Sequence, residues 1–162
     1  MDISDAINDL NSRELAVRRR AAEHLAAHPD AAAAVSLVRA CGDGDEQVRE
    51  WAVAALEGLG VPEAADTAAL AELLSDGHRD VRYWSATLLG RLGRQAASAV
   101  GRLSGAIGRD ADSAVRQRAA WALGEIGSPA AAARPILAQA AAGDDPRLAR
   151  LARQSLEKIV GS

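Results

Sequence analysis

Three histidines, one cysteine and a scatter of carboxylates are the side chains of this sequence with catalytic or metal-binding chemistry to offer. His24 and His28 stand four residues apart, a spacing that puts two metal ligands on one helix face. A metal cage needs further ligands. No acidic partner is indicated by spacing, and Pro29 ends the helix beside His28. Cys41 closes the apolar stretch LVRACGD. A nucleophilic thiolate needs an activating base, none is placed near it by sequence, and a buried structural thiol is expected. His78 falls in register with helix-capping residues and reads as a turn residue. The glycines are spread as helix terminators and form no phosphate-cradling loop. No pair of carboxylates is singled out as acid and base. The expectation is a chain without catalytic residues, cofactor or metal.

Arginine is the other recurring chemistry. Arg18, Arg49, Arg82 and Arg116 occupy one place in a repeating pattern. Such a row is either a phosphate-binding surface or one half of a set of ion pairs. Two local basic runs, Arg18, Arg19 and Arg20, then Arg147, Arg150 and Arg153, would suit nucleic acid. The total weighs against it: 19 basic residues against 22 acidic ones leave a net charge of −3, with no excess to neutralise phosphates.

The elements that must position these residues follow from composition. Hydrophobic residues make up 49% of the 162, yet aromatic residues only 2%, and Phe is absent. Without aromatic bulk the core must close by packing Ala and Leu tightly, which suits short helices at small separations. Strand-favouring residues are scarce, so the fold class is read as all-α. The N-terminus lacks the basic-then-apolar pattern of a secretory signal, and no stretch reaches the roughly 20 apolar residues of a membrane span. A cytoplasmic location is expected.

A repeat organises the chain. EQVREWAVAALEGLG (46–60), RDVRYWSATLLGRLG (79–93), SAVRQRAAWALGEIG (113–127) and PRLARLARQSLEKIV (146–160) align, with a weaker copy LAVRRRAAEHLAAHP (15–29). The anchors Val17, Val48, Val81, Val115 and Leu148 are separated by 31, 33, 34 and 33 residues. In the second copy Val48, Ala52, Ala55, Leu56 and Leu59 form one helical stripe about 100° wide. The small residue four past the anchor lets a neighbouring helix come close. Asp45, Asp112 and Asp145 precede the anchors at the N-cap, and Gly60, Gly93 and Gly127 stand where a helix end takes a left-handed residue. A further helix precedes each copy, at 63–76, 96–110 and 129–143. Each repeat is then a helical hairpin that buries its face only against its neighbours. The reading is one domain, 1–162, with repeats at about 1–29, 30–60, 61–93, 94–127 and 128–162.

The turn Asp, the Val-Arg, the small residue, Ala-Leu-Gly and the final apolar-Gly resemble the short HEAT-like repeats also found in phycobilin lyase subunits. The resemblance covers nearly the whole chain and is strongest in the three central copies. It implies a right-handed α-α superhelix of about five hairpins. It also implies a ladder between turn Asp and helix Arg, matched here by Asp43, Asp76 and Asp110 with Arg49, Arg82 and Arg116. Arg18 fits the first copy, but Ser12 replaces its Asp. Gly143 and Ala149 replace both members in the last copy, where the ladder should stop. HEAT-repeat hydroxylases use His-Glu pairs, and this chain has only the reverse, Glu23-His24. The Ala- and Arg-rich composition suggests a GC-rich bacterial source.

The resemblance puts the second helix of each hairpin on the concave side. Residues two and six past each anchor lie at about 200° and 240°, opposite the core stripe. They are Arg19 and Glu23, Glu50 and Ala54, Tyr83 and Thr87, Gln117 and Trp121, and Arg150 and Gln154. Tyr and Trp are frequent interface anchors, so Tyr83 and Trp121 mark the strip as a binding surface. Trp51 and Trp84, three past the anchor, are expected to pack between repeats. Arg20 and Arg118 hold the same place and invite an Arg–Trp stack. The function expected is a non-catalytic scaffold, monomeric or weakly dimeric, binding a protein or peptide. Alternatives are a nucleic-acid-binding repeat protein, or a lyase-type subunit that acts with a partner chain.

Overall fold

The computed structural model describes residues 1–161, and among them every regular element is a helix. The chain falls into two compact units, Met1–Asp66 and Thr67–Ser162. The boundary between them falls inside the third repeat, after the 3-10 turn Ala64–Asp66.

The first unit holds α1 (Ile3–Asp9), α2 (Leu15–Ala27), α3 (Ala34–Ala40) and α4 (Glu46–Gly58). Helices α2 and α4 are the principal packed pair. Ala21, Ala22 and Leu25 of α2 and Val48, Ala52, Ala55 and Leu56 of α4 are fully buried. Cys41 is buried with them, directly after α3.

The second unit holds α5 (Thr67–Leu73), α6 (Arg79–Leu92), α7 (Val100–Arg109), α8 (Ser113–Ile126), α9 (Arg134–Ala141) and α10 (Pro146–Gly161). Helix α8 packs against both α6 and α10. The stripes Val81, Ser85, Leu88, Leu89, Leu92 and Val115, Ala119, Ala122, Leu123, Ile126 are buried throughout. Burying one such Leu or Ile contributes roughly 1.5–3 kcal/mol, so these stripes hold the unit together. Ser85 differs from its counterparts Ala21, Ala52, Ala119 and Ala152, all Ala. Its hydroxyl is buried and has no hydrogen-bond partner among the described residues.

The first helix of a hairpin is shorter than the pattern suggests. In place of continuous helices at 96–110 and 129–143, 3-10 segments Gly93–Ala99 and Ser128–Ala133 lead into α7 and α9. Kinks at Ala96 and Ala130 lie within these 3-10 segments. Pro135 lies at the start of α9, where a missing N–H costs least.

The helix ends combine expected and unexpected geometry. Asp45, Asp112 and Asp145 accept hydrogen bonds from the first-turn amides of Val48, of Ala114 and Val115, and of Arg147 and Leu148. His78 caps α6 by accepting from the Asp80 amide at 3.2 Å. Gly60, Gly93 and Gly127 have positive φ. The left-handed helical conformation expected for Gly93 and Gly127 is not what they adopt: their ψ values are −133° and −142°. This is the extended positive-φ region open essentially to Gly alone, and it sends the chain directly into the following 3-10 segment.

Candidate functional site

The turns before α4 and α8 follow an Asp-x-Asp plan, modified to Asp-x-His before α6. The first carboxylate folds the turn: Asp43, Asp76 and Asp110 accept from the amides of Asp45, His78 and Asp112 at 2.8–2.9 Å. In the first unit Asp43 also receives Arg18, with Nε to Oδ2 at 2.8 Å and Nη2 to Oδ1 at 3.3 Å. In the second unit Arg82 grips Asp110 the same way, at 2.8 and 3.1 Å. The remaining nitrogen points back into the arginine's own turn. Arg18 Nη1 donates to the Ser12 carbonyl, Arg49 to that of Asp43, Arg82 to that of Asp76 and Arg116 to that of Asp110. Since this bond uses a backbone carbonyl, Ser12 serves as well as Asp, and Arg18 joins the set without a turn Asp of its own. With Gly143 in the next turn, Arg116 rests on the carbonyls of Asp110 and Ala111.

The capping carboxylates are used twice as well. Asp45 binds Arg19 through two bonds, of 3.0 and 2.6 Å. That hydrogen bond first, with help from the Val48 amide, brings the Asp45 carboxyl down from 3.8 to about 2. Asp145 accepts from Gln117 Nε2 at 3.0 Å. Its pKa is also lowered, first by the Leu148 amide and then by Gln117. Asp112 is met by Arg79 at 3.3 Å. Two members of the expected strip, Arg19 and Gln117, therefore bind the next turn of the scaffold.

The rest of the strip divides. Glu23, Glu50, Arg150 and Gln154 are exposed. Thr87, expected on the open face, is 5% exposed and donates to the Tyr83 carbonyl at 2.9 Å. It is covered because α8 packs against that side of α6. Trp121 is half-buried over Gly90, where a side chain would overlap its six-membered ring. Trp84 is buried, as expected for packing between helices, with the Arg91 guanidinium 5.6 Å from its ring; Trp51 is half-buried. The Arg118 stack goes elsewhere than expected. Its guanidinium lies 4.9 Å from the Tyr83 ring and 5.0 Å from the Trp121 ring, and Nη2 donates to the Tyr83 hydroxyl. Nearest in space, not equivalent register, decides this: Trp84 points into the helix packing, while Tyr83 faces α8.

These residues wall a pocket of about 300 Å³ within the second unit, formed by Arg79, Tyr83, Ala114, Gln117, Arg118, Trp121, Arg147 and Leu151. Helices α6, α8 and α10 each contribute. Sequence reasoning found Tyr83, Gln117 and Trp121 but assigned no binding role to Arg79, Arg118 or Leu151. The available signal was Arg118 one helical turn before Trp121, in the repeat after Tyr83. Away from the pocket, the His24 and His28 rings stack at 4.7 Å, and His28 Nδ1 lies 3.1 Å from the His24 carbonyl. No group of three metal-ligating side chains occurs among the described residues. No helix there is long and apolar enough to cross a membrane.

Comparisons with known proteins agree with this architecture. An engineered protein aligns over 98% of this chain and 80% of its own, at 21% identity and a TM-score of 0.67. A designed armadillo repeat protein solved with the peptide (KR)4 aligns over 97% of this chain and 81% of its own, at 18% identity and a TM-score of 0.68. The complex of CpcE and CpcF of phycocyanin lyase from Nostoc sp. aligns over the whole chain at 25% identity, with a TM-score of 0.67; this chain spans 66% of that one. No curated protein sequence gives a significant match. The family profile for HEAT repeats matches residues 3–69 and 67–157. The chain is an all-α solenoid protein and belongs to the HEAT-repeat family.

Proposed function

We propose that this chain is a non-catalytic interaction module that binds a peptide segment of a partner protein in the pocket of its second unit. The observation that carries the reading is the convergence of Tyr83, Arg118, Trp121, Arg147 and Leu151 from three helices on one pocket of about 300 Å³. Rigid aromatic and arginine side chains around a concavity are the residue types that dominate binding energy at interfaces. Helices fix them more rigidly than loops would, which reduces the ordering cost of binding. The engineered armadillo neighbour, solved with a peptide, lends the fold as a precedent for peptide capture.

Selection of random short peptides on the immobilised full chain tests the reading. Tyr83→Ala with Leu151→Ala should weaken a selected peptide by at least roughly tenfold, about 1.4 kcal/mol, with an unchanged helical circular dichroism spectrum. Equal binding to both proteins would move the binding surface elsewhere.

A second reading has one specific support, the CpcE–CpcF likeness: a lyase-type subunit that acts with a partner chain. A stably copurifying second chain, with or without bound pigment absorbance, would favour it. Binding to a nucleic-acid backbone is weakened by the pairing of Arg18, Arg19, Arg79 and Arg82 with aspartates. Cations held in that way are not available to displace counterions from phosphates.

A further inference from the structure

Resting on the peptide-binding reading, we infer that the segment taken up by the pocket presents a carboxylate side chain beside an apolar residue: the ligand is an acidic peptide. The argument concerns which charges around the pocket already have partners. Asp112 receives Arg79 and the amides of Ala114 and Val115. Asp145 receives Gln117 and the amides of Arg147 and Leu148. Asp80 at the rim has Arg79 at 3.6 Å. The capping carboxylates Asp112 and Asp145 are therefore matched by donors of the scaffold.

The cations are not matched in this way. Among the described residues neither Arg118 nor Arg147 has a carboxylate within ion-pair distance. Arg118 is half-buried, lies on the Tyr83 and Trp121 rings, and makes one hydrogen bond, to the Tyr83 hydroxyl. A guanidinium carries five N–H donors in a planar fork. Tyr83 and Trp121 hold that fork in place and leave most of its donors unused. A charged donor set that is partly desolvated and pre-oriented is the arrangement that gains most from a bidentate carboxylate. Arg147 supplies a second, exposed cation from α10, while Ala114, Leu151 and the Trp121 ring offer apolar surface beside it. A lysine- or arginine-rich peptide would meet like charge here.

The test uses the same peptide selection on the full chain, now read for composition. The expected result is enrichment of Asp or Glu next to an aliphatic or aromatic residue. A selected peptide should lose at least tenfold in affinity with Arg118→Met, which keeps an unbranched apolar stem beside the two rings and removes the charged fork. The exposed Arg147→Glu should give a similar loss without disturbing the fold. Affinity should also fall as salt rises from about 50 to 500 mM, where screening shortens to a few ångströms. Peptides that bind in the pocket but carry no acidic residue, or that ignore both substitutions, would overturn this inference and leave the peptide-binding reading standing. Tighter binding of a single-stranded oligonucleotide than of any selected peptide would overturn it in favour of a phosphate ligand. Failure to retain any peptide would remove both readings.

Discussion

In the first unit the residue two past the anchor of α2 is Arg19, and its guanidinium closes on Asp45, the cap of α4. In the second unit the same position of α6 is Tyr83, whose hydroxyl accepts from Arg118 of α8. Both contacts join successive repeats inside one unit, and both use an arginine. They leave opposite residues behind. The Arg19–Asp45 pair satisfies both charges and closes the position. The Tyr83–Arg118 contact orients a cation without neutralising it and leaves it facing a pocket. Two positions of the repeat separate the contacts: Tyr83 stands where the first unit has Arg19, and Arg118 of α8 stands where α4 has Trp51.

The largest expected effect compares the two bidentate arginine pairs. Asp110→Ala should destabilise the protein by about 3 kcal/mol, because it leaves a partly buried Arg82 without its carboxylate. Asp43→Ala should cost less, about 2 kcal/mol, since its side chain and that of Arg18 are more open, at 13% and 20% exposed against 6% and 16%. Urea midpoints measure both, and equal losses would show that burial does not grade these pairs.

Next in size is a pair of glycine substitutions. Gly90→Ala places a methyl group inside the Trp121 ring and should cost about 1–3 kcal/mol by overpacking, together with loss of peptide binding. Gly58→Ala in the first unit brings its Cβ to 3.1 Å from Pro29 Cγ. There the gain in helix propensity, up to about 1 kcal/mol, offsets the crowding. Thermal melts should show a clear drop for the first and little change for the second. A harmless Gly90→Ala would mean that Trp121 is free to swing away.

Ser85→Ala should raise stability by about 1 kcal/mol, removing a buried hydroxyl that lacks a partner. The first unit already has Ala at this position, in Ala21 and Ala52. A loss of stability on substitution would reveal a hydrogen bond from the hydroxyl.

The smallest effect is a matter of pH. Asp45 is brought down to about 2 by Arg19, below its ordinary 3.8. Its pairing therefore stabilises the fold fully above that ordinary value and is lost as pH falls from about 4 toward 2. Arg19→Gln should raise the Asp45 pKa, followed by carboxyl carbon NMR. Gln117→Ala should raise Asp145 less, because the Leu148 amide leads there. High salt should reduce the Arg19 effect and spare the Gln117 one.

The repeat register, the five second helices and the core stripes were legible because periodicity, caps and burial all follow one helical rule. The aspartate caps were legible for the same reason. The 3-10 segments before α7 and α9 were not: Ala-rich sequence favours helix on either side of Ala96 and Ala130, and only packing bends it there. At the site, angle alone put Thr87 on the open face, because a helical wheel does not know that α8 approaches α6 from that side. Arg118 was legible as a stacking arginine but not as a pocket residue, because its partners Tyr83 and Trp121 come from two different positions of the repeat. Contacts between repeats depend on side-chain reach, which a one-dimensional register does not record.

The stacking of Trp121 against Arg118 has an optical consequence. An indole 5.0 Å from a positive charge emits in the field of that charge, and an anion that neutralises the guanidinium changes the field. Occupancy of the pocket should thus shift the colour of the protein's own fluorescence. Trp51, in the first unit, should keep its emission and serve as the reference within the same molecule.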